Sequence, residues 1–148
     1  MKKFFVFFIL ITVSNLFALP IGALDFLKRE EGLRLQAYSD RGRYSIGYGS
    51  LSYEGEVITI QEAERRLECE LKKAESAFVK YFGQKYISLS DNQKTALLSL
   101  RYNVGSLSGF PKLRKAILEG RLNDACREIN TLQNKKRRAR ERALWNKK

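Results

Sequence analysis

Residues 23–51 read ALDFLKREEGLRLQAYSDRGRYSIGYGSL. The spacing of their apolar side chains changes midway, from the period of a helix to that of a strand. From Ala23 to Glu31, apolar residues recur at the i, i+3, i+7 spacing of one helical face, and Gly32 is a typical helix end. These features predict a short helix. Over residues 37–51, aromatic and aliphatic residues recur at mostly even spacing, and glycines interrupt them. This second pattern predicts a small β-hairpin or meander.

Two adjacent carboxylates, Glu30 and Glu31, end the predicted helix. Glu31 continues the apolar stripe of Leu24 and Leu27, whereas Glu30 is turned roughly 100° around the helix axis. We therefore interpret Glu30 as a solvated carboxylate. Burial of a carboxyl group among apolar side chains favours its protonated form, as a general acid requires. Glu31 is accordingly our candidate proton donor.

A second carboxylate, Asp40, lies at the start of the glycine-bearing hairpin, where we expect it to be solvated and ionised. Glycosidic bonds are cleaved between two such carboxyl groups, one protonated and one ionised. Residues 32–39 are long enough to form a loop that turns both groups toward one cleft. The alternative is structural: Glu31 pairs with an arginine such as Arg34, and Asp40 is a turn residue.

The remaining sequence predicts a helical body without internal repeats. Capping-box patterns at Thr59–Glu62 and Ser90–Gln93 open two long helices, which Gly83 and Gly105 end. Shorter helices are predicted over residues 111–120, 122–132 and 136–145. The expected fold class is therefore α+β and mostly α, with a small N-terminal hairpin packed on helices.

Residues 1–19 begin with two lysines and continue into an apolar run, which is typical of a secretory signal. We expect export to the periplasm or the medium, followed by one domain over residues 20–148. The alternative is an uncleaved membrane anchor, because the run from Phe4 to Leu24 approaches the ~20 residues that span a bilayer.

The composition excludes several kinds of site. The chain has no histidine, so triad hydrolases that use histidine are excluded, and two cysteines are too few for a structural zinc site. Cys69 and Cys126 either form one disulfide or are small buried residues. The net charge of +12 predicts a polyanionic partner without identifying it.

Several short motifs in the same order resemble the phage-type lysozymes, glycoside hydrolase family 24. They are Glu31-Gly32-Leu33-Arg34-Leu35, Ala37-Tyr38, Asp40, Ser45-Ile46-Gly47-Tyr48-Gly49, Asn103-Val104-Gly105, and Arg137-Arg138 with Glu141. The resemblance covers nearly all of the chain after the signal. It implies a lysozyme-like fold with an active-site cleft between the hairpin and the helices.

The resemblance also implies an activity and its residues. The family consists of muramidases that cleave the β-1,4 bond between N-acetylmuramic acid and N-acetylglucosamine with inversion. Glu31 would be the general acid, Asp40 would position or activate water, and Ser45 stands where the family has a water-holding threonine. No metal or organic cofactor is implied. The expected partner is the peptidoglycan glycan strand, and the expected state is a monomer.

The C-terminal residues 135–148 hold eight lysines or arginines against one acid. This segment is either a solvated helix face, with Ala139, Leu144 and Trp145 directed inward, or a surface for anionic wall polymers or lipid headgroups. No nucleic-acid partner is expected, because this segment offers only one aromatic residue, Trp145, on which a base could stack. The alternative function is a cationic wall-binding or membrane-binding protein of lysozyme fold with weak or no catalysis, which the change at Ser45 motivates.

Overall fold

A computed structural model describes residues 18–130 and 133–147, and within these ranges it contains seven helices and one small sheet. The elements in chain order are α1 (Ala23–Glu31), β1 (Arg34–Asp40), β2 (Arg43–Gly47), β3 (Ser50–Ser52), α2 (Ile60–Phe82), α3 (Gln84–Ile87), α4 (Asp91–Val104), α5 (Pro111–Leu118), α6 (Leu122–Glu128) and α7 (Lys135–Trp145). The predicted α+β, mostly helical fold with a small β region near the N-terminus is confirmed. The short helix α3 has no counterpart in the prediction.

The sheet is antiparallel, with the strand order β1-β2-β3. The turn between β1 and β2 is formed by Arg41 and Gly42, whose φ angles of 49° and 83° suit a tight hairpin turn. Residues 56–58 pair with the other edge of β1, where the amide of Ala37 donates to the carbonyl of Glu56 at 2.9 Å. The predicted loop over residues 32–39 is therefore wrong for most of its length, because strand partners distant in sequence extend β1 back to Arg34.

The long helix α2 begins and ends as predicted, with one difference at its cap. The Thr59 hydroxyl accepts a hydrogen bond from the backbone amide of Glu62 at 3.1 Å, and Gly83 ends the helix. The Glu62 carboxylate bonds to Arg65 and Arg66. Only the first half of the predicted capping box is therefore formed.

Helix α4 begins with the complete capping box that the sequence predicts. The Ser90 hydroxyl accepts from the Gln93 amide at 3.2 Å, and the Gln93 side chain accepts from the Ser90 amide at 3.0 Å. The helix packs against α1, α2 and α7, and its Ala96, Leu97, Leu98 and Leu100 side chains are fully buried. Burial of each leucine stabilises the fold by about 1.5–3 kcal/mol. Helix α4 is therefore held firmly in the core, and the polar side chains on it have fixed positions.

The C-terminal helices differ from the prediction in length and in orientation. Helix α6 ends at Glu128, whereas the prediction continues to residue 132. Trp145 of α7 is buried and Leu144 is half-buried as predicted, but Ala139 is exposed. The side chains that α7 buries besides Trp145 are charged: Arg137, Arg138 and Glu141. They are tolerated inside the fold because Glu141 pairs with both arginines and Arg137 also pairs with Glu31.

Both cysteines are free thiols, Cys69 half-buried on α2 and Cys126 buried on α6. The disulfide alternative is therefore wrong. The predicted export segment falls almost entirely on residues 1–17, which lie outside the described residues. Within the described ranges, no helix combines the length and the apolar character needed to cross a bilayer.

Candidate active site

Glu31 is the last residue of α1, immediately before the chain turns into the sheet. Gly32, with φ of 69°, ends the helix there. The Glu31 side chain is 18% exposed, and its Oε1 lies 2.6 Å from Nη1 of Arg137 on α7. The expected alternative, a Glu31 paired with an arginine, is therefore present, but the arginine is Arg137 and not Arg34, whose guanidinium lies 4.3 Å from the ring centre of Tyr38. The structure therefore places Glu31 in a protected position against a cation from the far end of the chain.

Glu30, interpreted from the sequence as solvated, is more protected than Glu31. Its side chain is 6% exposed, and both of its oxygens accept hydrogen bonds from Arg140. These bonds hold the pKa of Glu30 below its usual value. The interpretation is wrong because α7 covers this side of α1, and periodicity within α1 contains no information about that contact.

Arg137 is held on its other edge by α4 and by its own helix. Its Nη2 donates to the backbone carbonyl of Ser99 at 3.0 Å, and its Nε lies 3.3 Å from Oε1 of Glu141. The same Glu141 oxygen accepts from the Ser99 hydroxyl at 2.6 Å and from Arg138 at 2.9 Å. Ser99, Arg138 and Glu141 are 0% exposed. The guanidinium that faces Glu31 is thus fixed by a buried, charged cluster.

Desolvation and pairing oppose each other in this cluster. Burial raises the pKa of Glu141, while the Ser99 hydroxyl and the two guanidinium groups lower it. Burial likewise lowers the pKa of Arg138, against the attraction of Glu141. Removing one partner of a buried ion pair leaves an uncompensated charge, which is strongly destabilising. The cluster therefore acts as one electrostatic unit.

A cavity of about 440 Å³ opens beside Glu31, within the size range of small-molecule sites. Its walls come from α1, α4 and α7 and are formed by Glu30, Glu31, Asn103, Asn134, Lys135, Lys136, Arg137 and Arg140. Lys135 and Lys136 are exposed and form no ion pair with another described residue. A larger groove of about 570 Å³ runs along α2 alone and contains none of the predicted site residues. The smaller cavity is therefore the better candidate site.

Asp40 and Ser45 lie on one face of the hairpin. Asp40 stands opposite Arg43, and Ser45 stands opposite Tyr38 in the antiparallel ladder. Opposite residues share a face, as do residues two apart on one strand. Asp40 and Ser45 are therefore diagonal neighbours, with Cα atoms roughly 7–8 Å apart in a regular ladder. Asp40 is half-buried, and Ser45 is 4% exposed.

The predicted residues thus form two groups, Asp40 with Ser45 on the hairpin and Glu31 with Arg137 beside the cavity. Strand β1 joins the two groups, and its pairing register shifts between Arg34 and Tyr38. Such an irregularity bends a strand, and bends of this kind are frequent next to active sites.

The sequence analysis named Arg137, Arg138 and Glu141 as part of the family resemblance but gave them no role, and it missed Ser99. A signal was present, since Arg137 and Glu141 have the i, i+4 spacing that places two side chains on one helical face. Ser99 gave no such signal, because nothing local distinguishes a buried serine on a helix from an exposed one. Among the described residues, no group of three or more His, Cys, Asp or Glu side chains is arranged to hold a metal ion.

Comparisons with known proteins bear on the family and the fold of the chain. A family model described as "Phage lysozyme" matches residues 28–148. The chain is 34% identical over 141 residues to the endolysin of Bacillus phage PZA, which covers 83% of this chain and 53% of that protein. The chain spans about half the length of this endolysin and of another, from Acyrthosiphon pisum secondary endosymbiont phage 1.

Two solved structures resemble most of the chain. The muramidase domain of SpmX from Asticaccaulis excentricus has a TM-score of 0.75 and 26% identity, covering 88% of this chain and 99% of that one. A mutant of the P22 lysozyme has a TM-score of 0.71 and 28% identity, covering 86% of this chain and 97% of that one. Both are nearly complete matches to a compact domain of this size.

Proposed function

Because this chain belongs to the phage lysozyme family, we propose that it is a muramidase that hydrolyses the β-1,4 bond between N-acetylmuramic acid and N-acetylglucosamine in peptidoglycan. The matched region contains Glu31, Asp40 and Ser45. One observation carries the proposal: the protected Glu31 carboxyl lines a cavity that is large enough for part of a glycan strand.

In the proposed reaction, Glu31 donates a proton to the glycosidic oxygen as the bond to the leaving sugar breaks. Once Glu31 has given up this proton, Arg137 is in place to stabilise the new carboxylate.

Asp40 and Ser45 are proposed to handle the water. Asp40 accepts a proton from the attacking water, and the Ser45 hydroxyl holds that water by a hydrogen bond. Their shared face of the hairpin supports this division of roles. Water attacks on the side of the sugar opposite to the leaving oxygen, so the anomeric centre is inverted. We place the glycan strand so that it runs from the helix-lined cavity beside Glu31 to the hairpin face that carries Asp40 and Ser45, within one domain over residues 20–148.

We further propose that residues 1–19 direct export, so that the protein acts as a periplasmic or secreted monomer. An uncleaved segment would instead tether it to the membrane. The mass of the protein recovered from producing cells separates the two outcomes. Loss of the first ~19 residues supports cleavage, and the intact mass in the membrane fraction supports the anchor.

The test of the function is turbidity clearing of purified cell walls by the wild type and by Glu31→Gln. We expect a loss of about 10²–10⁴-fold in rate, which is the usual contribution of general acid catalysis. The matched control is Glu68→Gln, which makes the same change of charge at a surface ion pair on α2. It should clear walls at the wild-type rate.

The competing function is a cationic wall-binding or membrane-binding protein without catalysis. The unpaired Lys135 and Lys136 favour it, because they present positive charge at the mouth of the cavity. Failure of both the wild type and Glu31→Gln to clear walls would support this function. Equal, measurable clearing by both would instead remove Glu31 from the mechanism.

A further inference from the structure

Glu141 is a fully buried carboxylate to which the proposed reaction assigns no part. Its Oε1 contacts the Ser99 hydroxyl, Arg137 and Arg138. Its Oε2 is buried and has no hydrogen-bond partner among the described residues. An apolar side chain of similar volume often stabilises such a position as well or better. The carboxylate is therefore a poor choice for packing alone.

The contacts of Glu141 connect it to Glu31 through one side chain. The Arg137 guanidinium uses Nη1 for Glu31, and it uses Nε and Nη2 for Glu141 and Ser99. A planar guanidinium with both edges occupied cannot rotate without breaking one set of contacts. Glu141 thus determines the direction in which Arg137 presents its charge.

We propose that Glu141 is a positioning residue for Glu31: together with Ser99 it fixes Arg137 and offsets part of its positive charge, so that Glu31 remains able to take up a proton. The inference rests on the proposed function, in which Glu31 must be protonated before each turnover. Glu141 acts through Arg137 and has no contact with substrate in this scheme.

The charges around Glu31 support this role. Arg137 pairs with it, and the charges of Arg138 and of Tyr102 on α4 also interact with it. Lys135 and Lys136 line the same cavity but are exposed, so water and salt screen them, and Glu30 on the same helix as Glu31 is already neutralised by Arg140. Within the buried cluster, the two guanidinium groups and the Glu141 carboxylate sum to about +1. Without that carboxylate the sum is about +2, which favours the ionised form of Glu31 more strongly.

The test is the pH dependence of Glu141→Gln, which keeps the shape of the side chain and removes its charge. We expect the alkaline limb of the pH–rate profile to move to lower pH. The shift should be on the order of one pH unit for the loss of one buried charge on the far side of Arg137. The midpoint of the Glu31 titration, followed by NMR at its carboxyl carbon, should move by the same amount. Glu141→Asp, which keeps the charge, should restore most of the wild-type midpoint.

The matched control is Glu75→Gln, which neutralises a buried carboxylate of α2 outside the cluster. It should leave the alkaline limb where it is, even if it changes stability. A Glu141→Gln enzyme that is less stable but has an unmoved limb and an unmoved Glu31 titration would overturn the proposal. So would a Glu141→Asp variant that shifts as far as Glu141→Gln.

If Glu141→Gln does not fold, the NMR titration of Glu31 in the wild type tests the proposal instead. Coupling through Arg137 requires the Glu31 titration curve to show a second step where Glu141 titrates, and a one-step curve overturns the proposal. The NMR measurement needs no turnover, so its outcome is separate from that of wall clearing. A wild type that clears no walls refutes the muramidase function, whatever the titration shows.

Discussion

At the scale of single residues, the two neighbouring carboxylates of α1 differ in how they are held. Arg140 binds both oxygens of Glu30, whereas Arg137 approaches one oxygen of Glu31. A carboxylate clamped on both oxygens is committed to its ionised form. Glu31 keeps an oxygen outside that ion pair, which suits a group that must gain and lose a proton in each turnover. This difference fits the proposed function, in which Glu30 is structural and Glu31 is the reactive member.

The structural member gives a prediction about stability in acid. Because the Arg140 bonds lower the pKa of Glu30 from 4.5, folding is favoured at pH values above about 4.5, and this contribution is lost as the pH falls through the lowered pKa. We expect Glu30→Gln to lower Tm by about 2–4 °C at neutral pH. The difference should shrink toward pH 3 in thermal unfolding followed by circular dichroism. A constant difference across this range would contradict the assignment.

Ser45 gives a prediction about activity. Its hydroxyl is buried on the hairpin face that it shares with Asp40, and threonine adds a methyl group that restricts rotation of the hydroxyl. We expect Ser45→Thr to match or exceed the wild-type rate of wall clearing. Ser45→Ala is the paired variant, and its rate should fall. A large loss in Ser45→Thr would mean that another group holds the water.

At the scale of elements, the helices were predictable where their signals are local. The end of α1 at Glu31 and the caps of α4 follow from side chains within a few residues of each terminus. Strand β1 was misread over residues 34–39, because its partners are β2 and residues 56–58 and not its sequence neighbours. The inward face of α7 was misread for a related reason. The hydropathy pattern predicts that apolar residues face inward there. Arg137, Ser99 and Glu141 come together only in the folded chain.

The capping boxes give a prediction at the same scale. Both reciprocal hydrogen bonds are formed at Ser90, whereas only one is formed at Thr59. We expect Ser90→Ala to reduce the free energy of unfolding by about 1 kcal/mol, measured from the urea midpoint at constant slope. Thr59→Ala removes the same kind of bond at the other cap and should cost about as much, because the bond from the Ser90 amide to the Gln93 side chain survives Ser90→Ala. Gln93→Ala removes that second bond, and an unchanged stability of this variant would show that the second half of the box contributes nothing.

At the scale of the whole molecule, the net charge of +12 predicts how the protein finds its substrate. The unpaired Lys135 and Lys136 place part of this charge beside Glu31. We expect Glu31→Gln to bind purified cell walls in a sedimentation assay and to be released as salt rises. Adding Lys135→Gln with Lys136→Gln should weaken binding several-fold. Adding Lys72→Gln with Lys80→Gln on α2 instead changes the net charge equally and should weaken wall binding less. An equal loss of binding would show that only the total charge matters.

The central claim is that Glu31 protonates the glycosidic oxygen while water attacks the sugar. Mass analysis of muropeptides released from purified peptidoglycan tests it most directly. The wild type should release fragments that end in a reducing N-acetylmuramic acid, one water heavier than the anhydro form, and Glu31→Gln should release almost none. Fragments that end in anhydro-muramic acid, or equal release by the variant, would contradict the claim.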